Sequence, residues 1–214
     1  MIYSGYYNNG ESSSVPTTDY VWPTESTRVT QIYKPILPYE DGHYGIDIGA
    51  VTRHVAGDEI YCFADGYVVR NIPEESTYGY GAYINHINPD QSISTYIQTR
   101  YAHMMSQSSV VENTNITKGT IIGYMGNTGD SKEVHLHFET RITPVYNSLF
   151  SEDKSYCINP LTYYTLNEDY VLANNTNRGN SNENPWGITF DINNIETETY
   201  IAIGKNKMSE YNIP

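Results

Sequence analysis

Between Arg28 and Ile142 the chain is a succession of short apolar or alternating runs, at residues 28–33, 45–49, 60–64, 67–72, 80–87, 95–102, 120–125 and 135–142, separated by turn-forming residues. Runs of about 4–8 residues have strand length, whereas an amphipathic helix needs its apolar spacing sustained for longer. The pattern therefore predicts an all-β domain built on an antiparallel sheet, with few and short helices. The 22 Tyr against 4 Phe agree, because tyrosine suits a pleated surface that is half buried and wet at one end. Asp65-Gly66 reads as a tight hairpin turn, Asn88-Pro89-Asp90 and Lys118-Gly119 as further turns, and Asn159-Pro160 as the cap and first residue of a single short helix ending at Tyr164.

A length of 214 residues suits one principal domain with extensions. Residues 1–20 are polar and aperiodic and read as a flexible arm, the folded domain is expected over 21–166, an Asn-rich linker over 167–185, and a C-terminal β extension over 186–214. The net charge of −13 excludes a nucleic-acid partner, whose phosphates require a basic stripe, and gives no attraction to an anionic membrane. No apolar run approaches the roughly 20 residues that span a bilayer, no secretory signal is visible at the start, and a monomer is expected. Cys62 and Cys157 are too few and too distant for a thiolate metal site, which leaves either a disulfide or two inert buried thiols.

The chemistry concentrates in two segments, His43-Tyr44-Gly45-Ile46-Asp47 and His135-Leu136-His137. Strand side chains alternate between faces, so His135 and His137 share one face, as do His43, Gly45 and Asp47 if that stretch is extended. Catalytic zinc takes three protein ligands from His, Asp, Glu or Cys and keeps a fourth position for water. The two segments supply such a set.

A His-x-His pair also occurs in other folds, and three of them fit poorly. Cupin barrels want a Glu about four residues beyond the second His, where here Glu139 falls two beyond it. Amidohydrolase barrels need a repeating βα pattern, and metallo-β-lactamases continue into Asp-His, where this chain reads Phe138-Glu139-Thr140. What the chain resembles, over about residues 22–164, is the lysostaphin-type or LytM-like family of zinc endopeptidases. His43-Tyr44-Gly45-Ile46-Asp47-Ile48-Gly49-Ala50 resembles that family's first motif and Tyr101-Ala102-His103 its second. The stretch Gly123-Tyr124-Met125-Gly126-Asn127-Thr128-Gly129-Asp130-Ser131, running on to His135-Leu136-His137-Phe138-Glu139, resembles the third. Ala64-Asp65-Gly66-Tyr67-Val68 and Gly79-Tyr80-Gly81-Ala82-Tyr83 match landmarks between them in the expected order.

The resemblance implies a fold with an open cleft, His43, Asp47 and His137 as ligands of Zn2+, and His103 and His135 as unligated catalytic histidines that assist a metal-activated water. The substrate implied is the peptide of bacterial peptidoglycan, in the stem or the cross-bridge, attacked outside the cell or at the cell wall, including from a phage tail or secretion apparatus. The alternative is an inactive scaffold of the same fold that binds wall or activates another hydrolase. Tyr33 and Tyr39 are candidates to line the groove, Glu139 to support the ligands from behind, and His54 and His86 to be surface or structural. The glycine-rich loop 126–131 shapes one cleft wall, and Lys132-Glu133-Val134 departs from the small residue and proline usual before His-x-His, a change that bears on specificity.

Overall fold

The computed structural model describes residues 20–34, 42–75, 77–87, 95–164 and 189–190. Its strands are β1 (Arg28–Gln31), β2 (Ile46–Gly49), β3 (Glu59–Tyr61), β4 (Gly66–Ile72), β5 (Tyr80–Ile87), β6 (Tyr96–Met104), β7 (Asn115–Ile116), β8 (Ile121–Tyr124), β9 (His135–Thr143), β10 (Cys157–Ile158) and β11 (Thr189–Phe190). One large sheet runs in the order β11-β1-β2-β9-β6-β5-β4-β7, with β10 on β9, and β3 pairs with β8 in a second small sheet. Every pairing is antiparallel except β1 with β11, where Thr189–Phe190 joins the sheet edge in parallel. The fold class expected from the runs is the one observed. Each run contains a strand, while β7 and β10 are two residues long and too short to show alternation.

Register sorts the large sheet into two unlike faces. Tyr101 lies opposite Phe138, Ile46 opposite Phe138 from the other side, Ile48 opposite Leu136, and Ile84 opposite Thr99. All of these but Thr99 pack with Ile60, Ile122 and Phe63 into one apolar core. Rings close that core: Tyr101 and Phe138 sit 5.2 Å apart, and Trp22 meets Tyr164 edge-on at 4.9 Å. The next residues along the same strands point the other way and are polar: Asp47, His137, Glu139, Arg141, Gln98, Arg100 and Asn85. They are nonetheless mostly buried, because residues 144–156 cross that face as a strap. The Asn85 amide donates to the carbonyls of Val145, Tyr146 and Ser148, and Arg100 reaches the Ser151 carbonyl and the Glu152 carboxylate.

Two local expectations are corrected, the hairpin and the single helix. Asp65-Gly66 is not a hairpin, since β3 pairs with β8 while β4 pairs with β5 and β7. Cys62-Phe63-Ala64 leaves the sheet to plug the core, and the Asp65 carboxylate instead accepts the Lys118 N–H at 2.7 Å, fastening the turn at Lys118-Gly119. The short helix at Pro160–Tyr164 is a 3-10 turn whose Leu161 N–H is capped by Asn159. A second 3-10 turn, Lys154–Tyr156, is capped by Asp153. Cys62 and Cys157 are both buried and unbonded to each other, and burial pushes each thiol up to about 12, so both are inert. Of the C-terminal β extension only residues 189–190 are among those described, and Tyr39, the turn at Asn88-Pro89-Asp90 and the N-terminal arm before Tyr20 lie outside them. Tyr20 itself stacks on Phe63.

His86 is fully buried, with Nδ1 donating to the Asp65 carbonyl at 3.1 Å and Nε2 2.8 Å from the Thr99 hydroxyl. Burial lowers its pKa from the ordinary 6.5 of an imidazole to about 4, so the folded protein binds this proton less readily than the unfolded chain. Stability should therefore fall as pH drops from about 6.5 toward 4, by up to about 3 kcal/mol from this residue. Denaturant titrations across that window are expected to show a shallower pH slope for His86→Gln than for the native chain.

Candidate metal centre

Asp47 and His137 are brought together by register alone, because they lie directly opposite each other on β2 and β9. Gly45 makes this close approach possible: a Cβ there would lie 2.4 Å from the Phe138 carbonyl oxygen, a backbone atom of β9. His43 is not part of β2, contrary to a continuous extended stretch; it forms an isolated bridge with Lys34, fastened by both backbone bonds at 2.7 Å. Its ring still turns toward Asp47.

The donor atoms converge. His43 Nε2 is 3.1 Å from both Asp47 Oδ1 and His137 Nδ1, and His137 Nδ1 is 2.8 Å from Asp47 Oδ1. The far nitrogen of each ring is committed elsewhere: His43 Nδ1 donates to the Ile32 carbonyl at 2.8 Å, and His137 Nε2 donates to Glu139 Oε1 at 3.1 Å. When each ring carries a single proton, on that outer nitrogen, the inner nitrogens offer lone pairs and with Asp47 Oδ1 make three acceptors that face one another. Such an arrangement calls for a cation. Tetrahedral ligands about 2.0–2.1 Å from zinc stand about 3.3 Å apart, close to the separations seen here. The three residues form a group whose candidate ligand atoms all lie within 4.8 Å, and the set therefore fits a divalent ion.

Electrostatics agree. Burial works against charge on Asp47, but His43 and His137 outweigh it and hold the carboxyl well below its usual range. Burial would likewise lower His137, yet its bonds to Asp47 and Glu139 push it up to about 9 when a proton is the only cation available. Glu139 is buried and its carboxyl lies well below the usual range, the cost of burial being offset by His137, then Arg141 and Lys154. Arg141 donates twice to Oε2, at 2.8 and 2.6 Å, while Tyr78 donates to Oε1 at 2.7 Å.

Two more imidazoles border the group. Strand alternation alone would turn His103 away from His137, since it is Ala102 that lies opposite His137. A bulge prevents this: Tyr80 faces Met104 while Ala82 faces Tyr101, so β6 carries an extra residue there, and His103 takes a left-handed φ of 60°. Its ring ends 4.7 Å from that of His135 and 6.0 Å from that of His137. Nδ1 donates to the Thr128 carbonyl at 2.7 Å, and the Thr128 hydroxyl donates to Met104 at 2.6 Å. Gly79, at φ 62°, lets this loop close in, because a Cβ would lie 2.2 Å from Thr128 Oγ1. Burial, then His135, lowers His103 to about 4 and keeps it neutral. His135 Nδ1 donates to the Glu133 carbonyl at 2.9 Å, leaving Nε2 3.6 Å from Asp47 Oδ1.

The five side chains singled out in the sequence are thus gathered in one place, and His54 is exposed and apart from them. Tyr33 is not free to face a substrate, for its hydroxyl donates to the Cys157 carbonyl at 3.0 Å. Tyr78, Arg141, Lys154 and the Thr128 carbonyl were not anticipated. Arg141 was legible in principle, being two residues beyond Glu139 on the same strand face.

Comparison with known proteins decides the family, since residues 41–149 match the model of peptidase family M23. The chain belongs to peptidase family M23. This M23 chain is 34% identical over 108 residues, half its length, to the DD-carboxypeptidase/endopeptidase Mpg of Neisseria meningitidis serogroup B and equally to that of Neisseria gonorrhoeae. The match spans only 22% of those relatives. Among solved structures, the catalytic domain of lysostaphin from Staphylococcus simulans is similar at 24% identity and a TM-score of 0.47, over 62% of the M23 chain and 87% of the lysostaphin domain.

Because Gly45 meets backbone rather than a movable side chain, Gly45→Ala should force β2 away from β9. The expected cost is about 1–3 kcal/mol in denaturant unfolding, the range for overpacking a tight contact; an unchanged midpoint would contradict the close approach.

Proposed function

We propose that this M23 chain is a zinc-dependent endopeptidase that hydrolyses peptide bonds of bacterial cell-wall peptidoglycan, in the stem peptide or the cross-bridge. One observation carries the reading: the candidate ligand atoms of His43, Asp47 and His137 all lie within 4.8 Å of one another, with two further imidazoles at their edge. Those three residues would hold the ion. Zinc there supplies a Lewis acid and lowers the pKa of a bound water to about 7.

The chain's own groups handle orientation and protons. Ile32 and Glu139 fix the rings of His43 and His137 so that the correct nitrogen of each faces inward. His103, neutral and with Nδ1 already engaged by Thr128, keeps Nε2 available to accept a proton from the attacking water. His135, also held through Nδ1, presents the lone pair of Nε2 next to Asp47, where it can orient the attacking water, while the proton taken up by His103 passes to the leaving amine. The DD-carboxypeptidase/endopeptidase activity named for the Neisseria relatives supports peptide-bond hydrolysis, and work at the wall, outside the cytoplasmic membrane, is part of the same proposal. Among the described residues no helix is long and apolar enough to cross a membrane. An inactive scaffold has no need of all five side chains, and here all five are present.

Purified protein incubated with cell walls should release free amines, stop when zinc is removed by a chelator, and recover on adding zinc back. His103→Ala is expected to lower the rate about 10²–10⁴-fold, the usual contribution of a positioned acid–base group. Absence of release, or release that survives complete zinc removal, would overturn the proposal.

A further inference from the structure

The strap over residues 144–156 brings one charged side chain up against the back of the candidate site. Lys154 Nζ donates to the Tyr78 hydroxyl and to Glu139 Oε1, the latter at 3.2 Å. It also lies 5.1 Å from the centre of the Tyr44 ring and 4.9 Å from that of Tyr78. Four contacts thus fix a side chain that is ordinarily among the most mobile. The ammonium still has work left to do. Its side chain is 35% exposed, and its third N–H has no acceptor among the described residues. Glu139 does not require it for neutrality, since Arg141 already holds Oε2 through two bonds.

Charge sign narrows what could occupy that exposed side. Asp47 and Glu139 are balanced by Arg141 and Lys154, so a divalent ion held as proposed leaves the cluster positive, inside a chain whose net charge is −13. The partner favoured at this spot is an anion. The path from Nζ runs through Glu139 and across one imidazole ring, by contacts of 3.2 and 3.1 Å, to His137 Nδ1, a candidate ligand atom. That distance is about two to three residues of extended chain at roughly 3.3–3.6 Å each.

We propose that Lys154 is a specificity-determining residue that binds a free carboxylate of the peptide substrate, carried within about three residues of the scissile bond. The inference rests on the peptidase reading above and deepens it. The test uses defined muropeptides in which each free carboxylate is converted in turn to the carboxamide, with kcat/KM measured for the native chain, Lys154→Met and Lys154→Arg. For one carboxylate the native chain should prefer the acid over the amide by about tenfold, as for loss of one charge-assisted hydrogen bond. The preference should collapse toward unity in Lys154→Met and be largely kept in Lys154→Arg. A native chain indifferent to every conversion overturns the proposal, as does a Lys154→Met variant that keeps the preference or slows on both forms in parallel. If the native chain cleaves none of the peptides, the peptidase reading itself fails.

Discussion

Cross-strand register between β2 and β9 is the constraint on which everything else depends. It sets a carboxylate directly opposite an imidazole and puts Gly49 opposite His135, so the first histidine of the pair has a residue without a side chain across the ladder. A one-residue slip would send Asp47 to the apolar face and Leu136 to the site. The apolar face guards against this slip, because Ile46, Ile48, Leu136 and Phe138 are all fully buried and could not be turned outward without losing the core. At about 1.5–3 kcal/mol for each buried large apolar side chain, the core enforces the register far more strongly than any hydrogen bond in the site. Packing and chemistry are therefore two faces of the same four-residue pairing.

The polar face needs a second device. Arg100 and Arg141 are almost completely buried, and an unpaired guanidinium there would be strongly destabilising. Arg141 is neutralised from the sheet by Glu139, but Arg100 depends on the strap, through Glu152 and the Ser151 carbonyl, and on stacking 4.1 Å over Tyr83. The strap thus closes the back of the sheet, while the chain of contacts from Arg141 through Glu139 to His137 carries that rigidity to the metal-facing nitrogen.

Strands were legible where alternation was long, and β5 occupies the whole of the 80–87 run. The local patterns His-x-His and His-x-x-x-Asp also brought four of the polar side chains into view, and the family resemblance added His103. What the sequence could not show was pairing. The bulge that redirects His103 leaves no trace in the alternation of β6 and emerges only when β6 is set against β5. Asp65-Gly66 has the composition of a hairpin turn, but Phe63 has more to gain inside the aromatic core than in a strand, and that tertiary preference overrides the local one. Lys154 was invisible because residues 144–156 have no period, and its partner Glu139 lies on another element.

The central claim, that remote segments converge on one ion through two imidazoles and one carboxylate, is tested most directly by X-ray absorption at the zinc edge of the zinc-loaded protein. The expected spectrum shows one zinc in four-fold coordination, with only nitrogen and oxygen scatterers at about 2.0–2.2 Å and the multiple-scattering signature of two imidazoles. Sulfur at about 2.3 Å, or a shell without imidazole, would contradict it.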